Sequence, residues 1–429
     1  MKIIIIGAGP GGYETAVEAA ARGIEVILIH EGPLGGTCLN EGCIPTKVFC
    51  AFASGGEPLG KLIERKSEAV ERLQGGIASL LKNKLITEVR GHASFKDART
   101  VVVGDNEYTA DNIIIATGSV PAFLPIPGAE MAVTSTEMLE MEEFPRRLCV
   151  IGGGVIGLEL ASVYASLGSE VTVLEYAPSI LPRFDSDIAK RLKASLSKRG
   201  IAIETSAQVT GIVAVPDGGF EVSYVHKDQA HAVAADVVLM AVGRRPNVDS
   251  LNLEAAGVEY DRRGIKVDSF MRTSAPGIYA VGDVKGGMML AHTASFEGQR
   301  ALNAICGTPD EIDFSVVPAA VFTVPELASV GLSEEECKLK GIEIKCLKSF
   351  YRANGKAVAT GVSDGYCKLV AEASTGRILG AHILGAHASD LIHEAALLVA
   401  LGVDAVRARS IIHAHPTLSE VILSALRTW

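Results

Sequence analysis

The sequence predicts an α/β protein of more than one domain, and two observations support that prediction. The 429 residues are 48% hydrophobic and 21% charged, which is typical of a folded chain that is too long for a single compact core. A strand, a glycine-rich turn, a helix and a second strand also follow one another twice, over residues 2–30 and 148–175. Each of these units is typical of a parallel sheet with helices packed against it.

The first unit predicts a binding site for a dinucleotide. Apolar residues 2–6 predict a buried strand, alanine-rich residues 13–22 a helix, and residues 25–30 the next strand. The turn after the first strand carries the three glycines of a GxGxxG pattern: Gly7, Gly9 and Gly12. Glycines allow the backbone to approach a ligand closely, and the unpaired N–H groups at the start of the helix suit a pyrophosphate.

The second unit repeats this pattern and predicts a second dinucleotide site. Its strands are expected at residues 148–151 and 170–175, with a helix at residues 158–167 between them. The glycines of its turn are Gly152, Gly154 and Gly157. One GxGxxG pattern is a weak signal, but two copies in the same strand–turn–helix context support each other.

An acidic residue near the end of the second strand of such a unit binds ribose hydroxyls. Glu175 occupies that position in the second unit, where its carboxylate would repel a 2′-phosphate, so we expect NAD rather than NADP at this site. In the first unit the equivalent position is His30, and the carboxylate comes one residue later at Glu31. The sequence leaves open which of the two contacts the ribose, and we assign the contact to Glu31.

Two cysteines, Cys38 and Cys43, follow the first glycine turn in the run GGTCLNEGCIPTK. A pair of thiols beside a dinucleotide site indicates redox chemistry, because the two sulfurs can form and release a disulfide. On an ideal helix their side chains would point to different faces, so we predict a distorted turn, relaxed at Gly42, that brings the sulfurs together. The remaining cysteines are expected to be ordinary thiols: Cys50, Cys149, Cys306, Cys337, Cys346 and Cys367.

Charge and hydropathy argue against several other classes of protein. Acidic residues outnumber basic ones 50 to 40, and no basic run is interleaved with aromatic residues, so nucleic-acid binding is not expected. No apolar stretch approaches the roughly 20 residues of a membrane span, and we expect a cytoplasmic protein. A metal site is not expected either, because the histidines lack the spacing of metal ligands.

With these motifs the sequence resembles the FAD-dependent pyridine nucleotide-disulfide oxidoreductases, in their dihydrolipoamide dehydrogenase branch, over nearly its whole length. Further segments carry the resemblance: ATGS at residues 116–119, VGRRPN at 242–247, IYAVGD at 278–283, AHTASFEG at 291–298 and HAHPTLSE at 413–420. One run departs from it. AFASGGEPLGK, after Cys50, is shorter than the helix and loop that the family usually has there.

The resemblance implies three domains and two cofactors. An FAD-binding domain would comprise residues 1–143 and 266–315, an inserted NAD-binding domain residues 144–265, and an α+β interface domain residues 316–429. FAD would occupy the first dinucleotide site and NAD the second. The interface domain implies a homodimer.

The resemblance also implies roles for individual residues. Cys38 and Cys43 would form the redox disulfide over the flavin. Lys47 would place its ammonium near the isoalloxazine, where it stabilises negative charge, with Glu159 as its partner. Other contacts to the cofactors are expected from residues in turns and loops: Thr37, Thr117, Gly118, Gly243 and Asp283.

His415 and Glu420 would supply the base that thiol chemistry needs. A neutral imidazole near pH 7 can take the proton of a thiol, and Glu420 would hold the ring and stabilise its charged form. Taken alone, the HAHPTLSE run predicts only a polar turn and a capping box before a helix. The resemblance further implies that His415 reaches the site of the partner subunit and that its bond to Pro416 is cis.

The implied activity is the oxidation of protein-bound dihydrolipoamide to lipoamide with NAD⁺. The lipoyl carrier would be an acyltransferase of a 2-oxo acid dehydrogenase complex or the H-protein of glycine cleavage. Two alternatives stay open: another disulfide or flavin-linked NAD(P)H reductase of the family, and a mainly architectural subunit of a multienzyme complex. Glutathione reductase relatives usually carry arginines where this chain has Glu175-Tyr-Ala-Pro, and mercuric reductase relatives carry a cysteine pair that is missing after Cys367.

Overall fold

The computed structural model describes residues 1–216 and 218–429. Its strands are β1 Lys2–Ile6, β2 Glu25–His30, β3 Ile86–Arg90, β4 Ala93–Asp97, β5 Thr100–Val103, β6 Asn106–Thr109, β7 Asn112–Ile115, β8 Ser119–Pro121, β9 Arg147–Ile151, β10 Glu170–Glu175, β11 Ala202–Thr205, β12 Ala207–Ala214, β13 Phe220–His226, β14 Gln229–Ala235, β15 Val237–Met240, β16 Arg244–Pro246, β17 Tyr260–Asp261, β18 Gly264–Ile265, β19 Ile278–Ala280, β20 Ala319–Val321, β21 Leu327–Gly331, β22 Ile344–Phe350, β23 Tyr366–Glu372 and β24 Ile378–Leu384.

Its α-helices are α1 Pro10–Ala21, α2 Gly36–Asn40, α3 Cys43–Ala53, α4 Leu59–Leu80, α5 Ser135–Glu140, α6 Val155–Ser166, α7 Ser186–Lys198, α8 Ala291–Cys306, α9 Glu334–Leu339, α10 Gly355–Ala359, α11 Ala388–Ala400, α12 Ala405–Ala408 and α13 Glu420–Leu426. Short 3₁₀ helices lie at Ala129–Met131, Leu253–Ala256, Gly282–Lys285 and Tyr351–Ala353. Within the described part of the chain, no helix is both long and apolar enough to cross a membrane.

The chain forms two compact units, which are described separately below. The first unit comprises Met1–Phe49, Gly60–Ala122 and Gly243–Ile312. The second unit comprises Cys50–Leu59, Phe123–Val242 and Asp313–Trp429. The domain limits expected from the sequence stay a prediction.

A parallel sheet in the order β19-β7-β1-β2-β3 forms the centre of the first unit. β1 is its middle strand, and Ile4 pairs with Ile27 on one side and Ile113 on the other. All three side chains are buried, as expected for a strand that is covered on both faces. Because parallel strands end at the same edge, the segments that follow β1, β2, β7 and β19 meet there.

The second unit contains a parallel sheet and two antiparallel ones. The parallel sheet has the order β11-β10-β9-β15, and its strands β9 and β10 are those of the second glycine-turn unit. β12, β13 and β14 form an antiparallel meander. The C-terminal part is a five-stranded antiparallel sheet, β20-β21-β24-β23-β22, against which α11 and α13 pack. This part has the α+β character that the sequence led us to expect.

The helices of both glycine-turn units begin three residues earlier than predicted, at Pro10 and Val155. Proline suits the first position of a helix, since its missing N–H would have no partner there. Gly12 and Gly157, the last glycines of the two GxGxxG patterns, therefore lie in the first turn of α1 and of α6. A Cβ atom at Gly12 would lie 1.8 Å from Gly7 O, and one at Gly157 would lie 2.1 Å from Gly152 O, so only glycine allows the helix to approach the strand this closely.

A buried ion pair joins a helix of the second unit to its C-terminal sheet. Asp185 is the N-cap of α7, and Lys368 lies in β23. Lys368 Nζ lies 2.9 Å from Asp185 Oδ2, and the two side chains are 1% and 0% exposed. Lys368 also contacts Glu334 at 2.7 Å. A buried carboxylate that has lost its cation is strongly destabilising.

Replacing Lys368 by methionine is therefore expected to lower the free energy of unfolding by about 3 kcal/mol, because Asp185 is left buried without its cation. Urea unfolding measures the difference. Lys348→Met is the matched control, because Lys348 is the cross-strand neighbour of Lys368 but is 45% exposed. Equal losses in the two variants would contradict the role given to the buried pair.

Candidate functional site

The first glycine turn has the shape of a dinucleotide site. Gly7 has φ +111°, and a Cβ atom there would lie 2.2 Å from Ala116 O, which follows β7. A Cβ atom at Gly9 would meet no atom within 4 Å, so this position faces open space at the start of α1. The N-terminus of α1 and the open glycine together form a cradle that fits a pyrophosphate.

The dithiol segment packs directly on this turn. Gly35 N–H donates to Ala8 O at 2.8 Å. Gly36 begins α2, and a Cβ atom there would lie 2.7 Å from Gly9 Cα. Thr37 follows in the same short helix, next to Cys38. The first cysteine is therefore held one helical turn or less from the glycine cradle.

The expected distortion between the cysteines is present. α2 ends at Asn40 and α3 begins at Cys43, so the helical path is interrupted at Glu41 and Gly42. A Cβ atom at Gly42 would lie 3.0 Å from Thr37 O, which is closer than a side chain normally allows. The break turns the two sulfurs toward each other.

Both cysteines are thiols in this structure, with Cys38 half-buried and Cys43 exposed. A hydrogen bond between the two side chains, and then burial, raise the pKa of the Cys38 thiol, while the Lys47 ammonium acts in the opposite direction. Lys47 lies four residues after Cys43 in α3, and hence on the same helical face. The first unit therefore brings Cys38, Cys43 and Lys47 together.

Asp283 lies in the 3₁₀ turn that follows β19, at the same sheet edge. Ser119 Oγ donates to Asp283 Oδ2 at 2.6 Å, and Arg244 Nε donates to Ser119 Oγ at 2.7 Å. Burial lowers the pKa of the Arg244 guanidinium. Ser119 and Arg244 lie inside the ATGS and VGRRPN motifs, but the motifs alone did not indicate that these two side chains contribute to the site.

The turn of Asp283 is also fixed through its backbone. Gly282 N–H donates to Glu297 Oε2 at 2.7 Å, and Lys285 Nζ lies 2.8 Å from Glu297 Oε1. Glu297 lies in α8, and burial raises the pKa of its carboxyl. Glu297 is part of the AHTASFEG motif, but nothing in the sequence indicated which backbone group it would bind.

Thr117 and Gly118 connect β7 to β8 and lie beside the VGRRPN segment. Thr117 Oγ1 donates to Asn247 O at 2.7 Å. Gly118 and Gly243 have φ +73° and +114°, a region that favours glycine. Each directly precedes one of the paired strands β8 and β16, so the two motifs are joined as a short antiparallel ribbon.

The structure separates the two candidates for the first ribose contact. His30 is buried at the end of β2, with Nδ1 2.7 Å from Gly32 O and Nε2 2.9 Å from Glu88 Oε1. Glu31 is exposed and lies 3.2 Å from His92 Nδ1. Because both ring nitrogens of His30 already have hydrogen-bond partners, these contacts support Glu31 as the residue that contacts the ribose. That assignment stays a prediction.

The second glycine turn repeats the geometry of the first. Gly152 has φ +114°, with Ala241 O 2.4 Å from the position of a Cβ atom, and Gly154 again faces open space. Glu175 accepts hydrogen bonds from Gly153 N–H at 2.5 Å and Ala177 N–H at 2.6 Å. Its carboxylate therefore lies at the glycine turn, where a ribose hydroxyl could reach it.

Glu159 lies in α6 of the second unit and is buried. Its Oε1 accepts a hydrogen bond from Phe322 N–H at 2.8 Å. Lys47 belongs to the first unit. The expected pairing of Lys47 with Glu159 stays a prediction.

His415 and Glu420 form a pair in the second unit. His415 Nδ1 lies 3.0 Å from Glu420 Oε1, and the peptide bond from His415 to Pro416 is cis, as predicted. A hydrogen bond from Thr417 N–H, and then one from the His415 ring, hold the pKa of the Glu420 carboxyl below its ordinary value. The histidine side chain is 74% exposed. The bond to Glu420 uses Nδ1, and Nε2 has no hydrogen-bond partner among the residues that the structure describes.

Sequence comparisons match the chain to a known family. Residues 1–298 match the family described as pyridine nucleotide-disulphide oxidoreductase, and residues 317–426 match the dimerisation domain of that family. The chain is 42% identical to dihydrolipoyl dehydrogenase of Bacillus subtilis over 98% of its length and 95% of the relative. It is 41% identical to dihydrolipoyl dehydrogenase of Thermus scotoductus over 99% of its length and 96% of the relative.

Solved structures show the same architecture. The HOCl-induced flavoprotein disulfide reductase RclA from Escherichia coli superposes with a TM-score of 0.92 at 31% identity, covering 100% of this chain and 99% of that one. LpdA from Mycobacterium tuberculosis gives a TM-score of 0.91 at 27% identity with the same coverage. These matches confirm the predicted fold class. FAD and NAD are the cofactors of the matched family, which confirms the cofactors predicted from the sequence.

Replacing Glu175 by glutamine is expected to reduce the preference for NAD⁺ over NADP⁺ at least about tenfold, because the charge that repels a 2′-phosphate is lost. The ratio of the two kcat/KM values measures the preference. Glu170→Gln is the control, because Glu170 is exposed at the start of the same strand. An unchanged ratio in Glu175→Gln would show that another group selects the nucleotide.

Proposed function

Because the chain belongs to the pyridine nucleotide-disulphide oxidoreductases, we propose that it oxidises dihydrolipoamide to lipoamide and passes the electrons to NAD⁺. The observation that carries the proposal is the hydrogen-bonded pair of Cys38 and Cys43 on a glycine cradle that fits a dinucleotide. The substrate is inferred from the dihydrolipoyl dehydrogenases, which match the chain over nearly all of its length.

The dithiol exchange begins with Cys38 and Cys43 joined as a disulfide. His415 Nε2 takes the proton of one substrate thiol, and the resulting thiolate attacks Cys38 Sγ, which releases the Cys43 thiolate. The second substrate thiol then loses its proton to the released Cys43 thiolate, attacks the substrate sulfur of this mixed disulfide and releases the Cys38 thiolate. Lipoamide leaves as a cyclic disulfide, and the electron pair remains on the two cysteines.

The charged groups around the reacting atoms suit this exchange. Lys47 opposes the rise in the pKa of Cys38, so it favours the thiolate that forms when the mixed disulfide breaks. The lowered pKa of the Glu420 carboxyl favours its ionised form, which can stabilise the imidazolium of His415. Both effects place an opposite charge beside a charge that develops during the reaction.

Two sets of residues would hold the cofactors. When bound, FAD would supply a two-electron acceptor for the dithiol and a hydride donor for NAD⁺. The FAD contacts would come from Gly7, Gly9, Gly12, Glu31, Thr37, Lys47, Thr117, Gly118 and Asp283. The NAD contacts would come from Gly152, Gly154, Gly157 and Glu175, and Gly243 would contact one of the two cofactors. The corresponding domains would be residues 1–143 with 266–315 for FAD, 144–265 for NAD and 316–429 for the interface.

The working form would be a homodimer. The C-terminal part matches a dimerisation domain, and it exposes several apolar side chains in the segments that precede His415 in the sequence. These side chains are Leu397, Leu401, Val406, Ile411 and Ile412. Ile412 is 96% exposed, although a lone subunit gains nothing from such exposure. A second copy of the chain would cover these side chains and receive His415 in its own site.

The lipoyl group would be presented by an acyltransferase of a 2-oxo acid dehydrogenase complex or by an H-protein. A cytoplasmic location is part of the proposal, since a reducing compartment keeps the remaining cysteines as thiols.

A purely architectural role is disfavoured by the hydrogen-bonded dithiol and the His415–Glu420 pair, which a passive subunit does not need. The similarity to RclA, at 31% identity, makes reduction of another disulfide the second candidate.

Steady-state oxidation of free dihydrolipoamide tests the proposal, and NAD⁺ is expected to serve far better than NADP⁺. Cys43→Ser is expected to keep its flavin and lose turnover. His415→Gln is expected to slow dihydrolipoamide oxidation at least about a hundredfold while sparing NADH oxidation by an artificial acceptor, because only the first reaction needs the base. Equal loss of both reactions in His415→Gln would contradict this division of roles, and a parent protein inactive with dihydrolipoamide would favour the second candidate.

Mixed dimers test whether His415 acts in the partner subunit. Co-expression of Cys43→Ser with His415→Gln is expected to restore about a quarter of the parent activity, since half of the randomly formed dimers would contain one complete site. Each variant expressed alone is the control. If His415 acted within its own subunit, every site in the mixture would lack one group, and no activity would return.

A further inference from the structure

The HAHPTLSE run contains a second histidine, His413, which the proposed exchange does not use. Its side chain is only 8% exposed, in contrast to that of His415 two residues later. Its Nε2 lies 2.7 Å from Glu394 Oε1, and its Nδ1 lies 3.0 Å from Ile411 O. A second histidine–carboxylate pair therefore directly precedes the first.

The two histidine–carboxylate pairs differ in whether a ring nitrogen of the histidine is left without a hydrogen bond. Both ring nitrogens of His413 already face an oxygen, Nδ1 that of Ile411 and Nε2 that of Glu394, so neither is free to contact a substrate thiol. His415 uses only Nδ1, with Glu420, and its Nε2 has no hydrogen-bond partner among residues 1–216 and 218–429. His413 is therefore excluded as the base, and its pairing with Glu394 needs another explanation.

The Glu394–His413 bond attaches an irregular segment to a long helix. Glu394 lies in the middle of α11, which packs against the C-terminal sheet, whereas His413 lies between α12 and α13. On the other side of His415, Asn354 Nδ2 donates to Thr417 O at 2.9 Å. The turn that carries His415 is thus held on both sides while its ring stays exposed.

We propose that Glu394 and His413 are positioning residues, which hold the His415 imidazole where it takes the substrate proton. The inference rests on the proposed function. A charge-assisted hydrogen bond is short and strongly directional, and one at 2.7 Å to a helix restricts the backbone two residues before the base. Proton transfer depends steeply on geometry, and a displacement of about 1 Å can remove much of the rate.

Substitutions at Glu394 in the full-length, flavin-loaded protein test this role. Glu394→Ala is expected to lower kcat for dihydrolipoamide oxidation about tenfold, and Glu394→Gln less, because glutamine keeps an acceptor oxygen. NADH oxidation by an artificial acceptor is expected to change less than about twofold, since it does not need His415. His393→Ala is the matched control, because His393 is the exposed neighbour of Glu394 on the same helix.

A double-mutant cycle separates positioning from general support of the structure. In a His415→Gln background, Glu394→Ala is expected to cause no further loss, because Glu394 acts through the ring that is already missing. The same tenfold loss in both backgrounds, equal loss of the two reactions, or no loss at all would overturn the inference. If Glu394→Ala does not fold, Glu394→Gln is compared in the parent and His415→Gln backgrounds instead, and the same outcomes test the inference.

The same measurements distinguish this inference from the function on which it rests. A parent protein that does not oxidise dihydrolipoamide overturns the proposed function and the inference with it. A parent protein that does so, and is indifferent to the substitutions at Glu394, overturns the inference alone.

Discussion

The close contact of two glycines is the constraint on which the redox site depends. Gly36 begins α2, the helix that carries Cys38, and Gly9 lies in the first glycine turn. A Cβ atom at Gly36 would lie 2.7 Å from Gly9 Cα. Only a residue without a side chain allows two backbones to approach this closely. The bond from Gly35 N–H to Ala8 O fastens the same two segments. The sulfurs are therefore carried to the edge of the sheet where a dinucleotide fits.

Much of the fold could be predicted because local signals and tertiary structure agree. The strands at Lys2–Ile6 and Glu170–Glu175 lie where the sequence predicted them, and the first is continuously apolar from Ile3 to Ile6, as is typical of a buried parallel strand. The break between the cysteines was also predictable, from the spacing of the sulfurs and from Gly42. The helix starts were wrong because glycines usually indicate loops, whereas Gly12 lies inside α1 to let it approach β1.

The rest of the site could not be predicted, because it depends on pairs that are distant in the sequence. Ser119 meets Asp283 and Arg244 only once β8, β16 and the turn after β19 have come together. Likewise, the HAHPTLSE run showed two histidines but not that one of them would be buried against Glu394 on α11. Residue type and spacing predict the candidate reactive groups, whereas the groups that orient them depend on tertiary packing.

The hydrogen bond between Cys38 and Cys43 places the two sulfurs beside each other, as a reversible disulfide requires. Mass spectrometry of the peptide that spans both residues, after alkylation of the air-oxidised protein and of the NADH-reduced protein, tests this most directly. The account predicts an unalkylated Cys38–Cys43 disulfide in the oxidised protein and two alkylated cysteines after reduction. Two alkylated cysteines in both states, or a disulfide of either cysteine with a different partner, would contradict it.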